Sequence, residues 1–135
     1  MITSAEEFVQ LRTSDACDDY LRSAHEEAPV SVWLDVINQF PHMKEWVVHN
    51  KSVPLEILQL LVSDSNPNVR AAIANKRKLN AHLFDVLSKD TEEIVRHRLA
   101  YNKKAPKEII ARLAQDDSAF VRAAAINRLK ATTSN

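Results

Sequence analysis

The 135-residue chain contains no glycine. Phosphate-cradling loops, dinucleotide folds and nucleophile elbows need glycine where the backbone turns tightly or approaches a ligand closely. A P-loop, a Rossmann fingerprint and a GxSxG elbow are therefore excluded. Type I′ hairpins favour Asn-Gly or Asp-Gly, so the same lack disfavours a sheet. Cys17 is the single cysteine, which rules out an internal disulfide and fits a reducing cytoplasm. No apolar run approaches the roughly 20 residues that cross a bilayer. The opening MITSAEEFVQL is acidic and lacks the basic start and apolar stretch of a signal peptide. A cytoplasmic protein with no membrane partner is expected.

What is present is ordinary for a globular chain: 45% hydrophobic and 27% charged residues, enough to bury a real core. The charge is zero overall but polarised. Residues 1–64 hold 11 acidic and 4 basic side chains (−7), and residues 65–135 hold 7 and 14 (+7). Such a dipole orients a charged partner at encounter.

Self-similarity decides the expected architecture. PLEILQLLVSDSNPNVRAAIANKRKL (54–79), NAHLFDVLSKDTEEIVRHRLAYNKKA (80–105) and PKEIIARLAQDDSAFVRAAAINRLKA (106–131) align over 26 residues without gaps. Leu61, Leu87 and Leu113 coincide, as do Asp64, Asp90 and Asp116. Val69, Val95 and Val121 follow, then Arg70, Arg96 and Arg122. A looser copy, residues 29–53, sets Pro41, Met43, Lys44 and Val47 where Pro67, Val69, Arg70 and Ile73 stand next.

Each copy predicts two short helices. Ile57, Leu58, Leu61 and Val62 make one apolar face, and Pro54 and Pro106 suit a first helical turn. The 64–68 segment Asp-Ser-Asn-Pro-Asn breaks that helix. A second carries Val69, Ile73 and Ala74 inward and ends near Asn75, a residue that tolerates the left-handed conformation in place of glycine. One pair cannot bury its own face, but stacked pairs can. Residues 1–28 predict an N-terminal helical cap. Ser4 and Glu7 form a capping box before Phe8, Val9 and Leu11, and a second helix over about 15–26 turns Cys17, Tyr20 and Leu21 inward. The expected fold is all-α: a right-handed α-solenoid of cap plus four repeats over 29–131, forming a single structural domain.

The unit Leu58–Leu61–Asp64–Val69–Arg70–Ala74–Asn75, with its later copies, resembles HEAT-like repeats and especially the leucine-rich repeat variant family of bacteria. The likeness covers roughly 29–130 and is strong over 54–130; Lys44, Asn38 and Asn80 depart from the pattern. It implies a curved helical scaffold and no particular activity.

Residues that recur in every copy do the same job each time. Asp64, Asp90 and Asp116 with Arg70, Arg96 and Arg122 (Lys44 in the first copy) therefore read as a structural ladder between repeats. Informative positions are those that do not recur. The stripe at i, i+3, i+4 and i+7 on the second helices reads His42, Glu45, Trp46, His49; then Asn68, Ala71, Ala72, Asn75. It continues as Ile94, His97, Arg98, Tyr101 and then Phe120, Ala123, Ala124, Asn127. Aromatic, apolar, His and Arg residues together are what interface hot spots use, and second helices of solenoids line the concave surface. Packing between repeats is the competing explanation for Trp46, Ile94 and Phe120.

His42, Glu45 and His49 share a helix face, yet zinc needs three or four placed ligands and this spacing matches no metal motif; no metal or cofactor is expected. The loops are basic: Lys51; Lys76, Arg77 and Lys78; Lys103 and Lys104; Arg128 and Lys130. They predict a ridge that contacts phosphate, meets an acidic protein surface, or complements helix dipoles in solvent. Cys17 has no matched histidine, and the pairs Asp18-Asp19, Glu26-Glu27 and Glu92-Glu93 fall at solvent-facing or capping positions, so catalytic residues are not expected. The leading expectation is a non-enzymatic, monomeric bacterial module that binds another protein, as an adaptor or an inhibitor such as a toxin-neutralising immunity protein. The alternative is a nucleic-acid binder using the basic ridge.

Overall fold

In the computed structural model, residues 1–133 are described, and they are helical throughout with no strand among them. The helices are α1 (Ala5–Thr13), α2 (Cys17–His25), α3 (Val30–Gln39), α4 (Lys44–His49) and α5 (Leu55–Leu61), then α6 (Pro67–Ala74), α7 (Ala81–Ser88), α8 (Glu93–Ala100), α9 (Lys107–Leu113) and α10 (Ala119–Thr133). A 3₁₀ turn, Pro41–Met43, leads into α4. They form two compact units, Met1–Leu61 and the chain from Val62 onward.

In the first unit, α1 packs on α2 and α3, and α3 also meets α4 and α5. Phe8 and Trp33 are fully buried and meet edge to face, with ring centroids 5.1 Å apart. Ile2, Val36, Val47, Ile57 and Leu58 close the core around them. The Ser4 hydroxyl accepts from the Glu7 N–H at 3.0 Å, and the Glu7 carboxylate accepts from the Thr3 N–H at 2.7 Å. Ser4→Ala removes the first of these bonds and is expected to lower stability by about 1 kcal/mol, read by urea denaturation; an unchanged midpoint would contradict a capping role.

In the second unit, α6 packs on α8 and α8 on α10, while α7 packs on α9. Helices one 26-residue copy apart thus lie side by side. Leu83, Leu87, Val95, Leu99, Val121 and Ala125 are fully buried between them.

Three local expectations are corrected. On α2, Cys17, Tyr20 and Leu21 are exposed, and the buried residue is Ser23, whose hydroxyl donates back to the Tyr20 carbonyl at 2.7 Å. The small side chain faces inward while Tyr20 turns outward to Arg12, whose guanidinium carbon lies 5.0 Å from the ring centre. Second, Pro106 occupies the cap ahead of its helix, with φ −60° and ψ 151°, rather than the first turn. Pro54 likewise precedes Leu55 and accepts the first helical bonds, from Ile57 and Leu58. An N-cap residue keeps extended backbone, and the proline ring fixes only φ. Third, Asn75 ends α6 with right-handed angles (φ −84°, ψ −9°), and no residue among those described has positive φ. In this glycine-free chain the ends of α2 and α6 are instead met by side-chain amides, those of Asn50 and Asn102.

Candidate functional site

Two kinds of polar side chain tie separate helices together: the arginines of the second unit, and one buried asparagine in each unit. Arg70 reaches forward to Asp90 through Nε and Nη2 (2.8 and 3.2 Å) and back to the Asp64 carbonyl through Nη1 (2.6 Å). One copy later, Arg96 makes the same three bonds to Asp116 and the Asp90 carbonyl, at 2.8, 3.2 and 2.6 Å. Arg122 donates to the carbonyls of Asp116 and Asp117. Each aspartate also accepts a backbone N–H two residues on, from Asn66, Glu92 and Ser118 respectively. Burial pushes the Asp116 carboxyl up, but the Arg96 hydrogen bonds, the Ser118 N–H and the Arg122 charge outweigh it and hold the group below its ordinary range.

The second device is buried asparagine. The Asn102 amide donates to the carbonyls of Ala74 and Lys76 (2.8 and 2.6 Å), and its oxygen accepts the Lys104 N–H at 2.9 Å. In the first unit, Asn50 donates to the carbonyls of Ser23 and Glu26, both at 2.9 Å, and accepts from the Ser52 N–H at 2.8 Å. Carbonyls at the end of α6 and of α2 thereby find donors that a left-handed terminal residue would otherwise provide. Asn50 and Asn102 lie two periods apart, with Lys76 at the place between them and Arg128 one period beyond. A comparison of adjacent copies misses the pattern; a comparison of alternate copies finds it.

The ladder and the asparagines are engaged inside the fold; of the unrepeated stripe, Ala71 and Ala124 are buried too, and other members reach the surface. In the first unit, His42 and His49 are exposed and Trp46 is half-buried. The Arg12 guanidinium carbon lies 3.4 Å from the Trp46 ring centre, and the His49 ring is 5.3 Å from it. Glu45 is half-buried on the same helix. Trp46 is thus covered on one face by a cation from α1.

In the second unit the stripe carries larger exposed side chains. Tyr101 is 63%, Phe120 53% and Ile94 38% exposed, and it is their grouping rather than the exposure of any one that is informative. The His97 ring stacks on Phe120 with centroids 3.6 Å apart and planes 7° from parallel, and the Tyr101 ring meets His97 edge-on at 5.1 Å. Three aromatic rings from α8 and α10 form one exposed cluster. Burial holds the His97 imidazole below its ordinary value, Arg98 adds to the effect and Glu93 opposes it, so at neutral pH the ring is neutral and suited to stacking. Ala71 of the same stripe is buried on α6, while Asn68 and Asn75 are exposed.

At the C-terminal end of α8 the chain turns at Asn102 into Lys103 and Lys104, and Asn102 also holds the Lys76 carbonyl. The two basic loops are therefore pinned to one side chain. Arg77, Lys78, Lys103 and Lys104 are exposed and make no ion pair among the described residues, in contrast to Arg70, Arg96 and Arg112, which bind Asp90, Asp116 and Asp85.

Two of the paired carboxylates are engaged in local contacts. Asp19 accepts from the Ser14 hydroxyl at 2.8 Å, and Glu26 pairs with Arg22, which with the terminal amino group lowers its carboxyl to about 2. Among the described residues, no group of three His, Cys, Asp or Glu side chains is arranged to hold a metal ion. None of these residues forms a helix long and apolar enough to cross a membrane. Comparison with protein-family models, curated proteins and solved structures finds no match for this chain.

Proposed function

We propose that this chain is an α-solenoid of 26-residue helix pairs, akin to HEAT-like and leucine-rich repeat variant proteins, that binds another protein and catalyses nothing. The gapless alignment of residues 54–131 supports the repeat reading, and so does the return of the same arginine–aspartate bonds one copy later. The exposed cluster of Tyr101, His97 and Phe120, with Ile94 beside it, carries the binding reading. Large apolar side chains left open together, ringed by charge, are the anatomy of a protein contact surface.

The test is retention of partners from an extract of the source cells on immobilised chain, with Tyr101→Ala and Phe120→Ala as comparison baits. A partner held by the parent chain is expected to be lost from both variants, since hot-spot truncation weakens binding by about 2 kcal/mol or more. Both variants should melt within about 2 °C of the parent, because exposed positions contribute little to stability. Equal retention by folded variants sinks the assignment.

A further inference from the structure

The surface around Tyr101 is bipolar, and its polarity describes the partner. Exposed Glu92 and Glu93 stand at the start of α8, and exposed Asp117 precedes α10. The Glu93 carboxylate accepts from the Ser118 hydroxyl at 2.6 Å, which fixes it at that rim. At the opposite end, past Tyr101, stand Lys103 and Lys104 with Arg77 and Lys78, drawn to one place by the bonds of Asn102 to Lys76 and Lys104. Helix α8 has eight residues and is about 12 Å long at its usual rise. A ligand seated near the middle is about 6 Å from either end, inside the roughly 8 Å screening length at physiological salt, and feels both rims.

A phosphate chain lying along the rings from the basic loops toward Phe120 would run onto Glu92, Glu93 and Asp117, where like charge is repelled. A protein segment avoids this because its charges are local and of either sign. We propose that the ligand of this surface is an acidic protein segment: it places an apolar side chain against Tyr101 and the His97–Phe120 stack and its carboxylates on Arg77, Lys78, Lys103 and Lys104. This rests on the protein-binding reading above and adds the chemistry and orientation of the partner.

Fluorescence anisotropy of three labelled probes against the full chain tests it. The probes are a peptide with a Leu-Trp centre followed by a run of Asp and Glu, the same peptide with each acid replaced by its amide, and an oligothymidylate. The acidic peptide should bind at least about tenfold more tightly than its amide form at low salt, with the difference shrinking as salt rises. Arg77→Glu/Lys78→Glu/Lys103→Glu/Lys104→Glu should remove that advantage, and the milder set with Gln at the four positions should reduce it in a chain of unchanged melting temperature. Equal binding of both peptides, no binding of either, or tighter binding of the oligothymidylate overturns the proposal. The two readings fail separately. A natural partner lost from the Tyr101 and Phe120 variants but unaffected by the four-site variants leaves protein binding standing and removes the acidic segment; a partner indifferent to the aromatic variants removes the protein-binding reading itself.

Discussion

Arg96→Met is expected to destabilise the chain by about 3 kcal/mol, near the lower end of what breaking a buried ion pair costs. The reason lies in what the substitution leaves behind. Asp116 is nearly buried and would keep its charge with only the Ser118 N–H to satisfy it, and the Asp90 carbonyl would lose its guanidinium donor. Adding Asp116→Asn removes the orphaned charge and still offers an oxygen to the Ser118 N–H. The double variant should therefore be more stable than the sum of the two single losses by about 1 kcal/mol or more. Urea denaturation of all four chains gives the coupling. Strict additivity would mean that the pair contributes no interaction of its own.

The companion prediction concerns Asn102. Asn102→Ala strands two carbonyls and one N–H in a buried place, and an expected loss of about 3 kcal/mol follows from roughly 1 kcal/mol or more for each unsatisfied group. Asn102→Asp has the same shape but the opposite bonding: an ionised carboxylate has no donor for the Ala74 and Lys76 carbonyls. Burial among carbonyl oxygens raises the folded-state pKa of the introduced acid above its unfolded value near 3.9. A group raised in this way contributes its stability below the unfolded pKa and loses it as pH rises through the folded pKa. The deficit of Asn102→Asp relative to the parent chain should therefore be large at neutral pH and shrink toward pH 4, where protonation returns an O–H donor. A deficit independent of pH would show that the amide donors are not what holds the loop.

These residues mark how far the sequence alone can be read. The ladder was legible because Asp and Arg recur at a fixed period, and the apolar positions Leu61, Leu87 and Leu113 were legible for the same reason; all three are buried. The asparagines were hidden by alternation, since Asn102 aligns with Lys76 in the copy before it and Arg128 in the copy after. In α2 periodicity misleads for a different reason. Its sequence CDDYLRSAH offers an apolar pair, Tyr20 and Leu21, and periodicity assigns such a pair to the core. The contact is made instead by Ser23, small enough for close approach and hydrogen-bonded to its own helix. The absent glycine pointed correctly to a chain without strands among its described residues, but not to how helices end without it. Nor does spacing along one helix reveal that His97 and Phe120, on different helices, stack face to face.

On the proposed function, the surface of the second unit divides into positions that hold the fold and positions that meet a partner. Alanine variants of Arg70, Arg96, Asn102, Ile94, Tyr101 and Phe120, each scored for melting temperature and for partner retention, test that division most directly. Arg70, Arg96 and Asn102 should lower the melting temperature by several degrees, whereas Ile94, Tyr101 and Phe120 should leave it nearly unchanged and weaken retention. If the aromatic variants melt as early as the ladder variants, or bind as well as the parent, the exposed cluster is part of the scaffold and the assignment of a binding face to it is wrong.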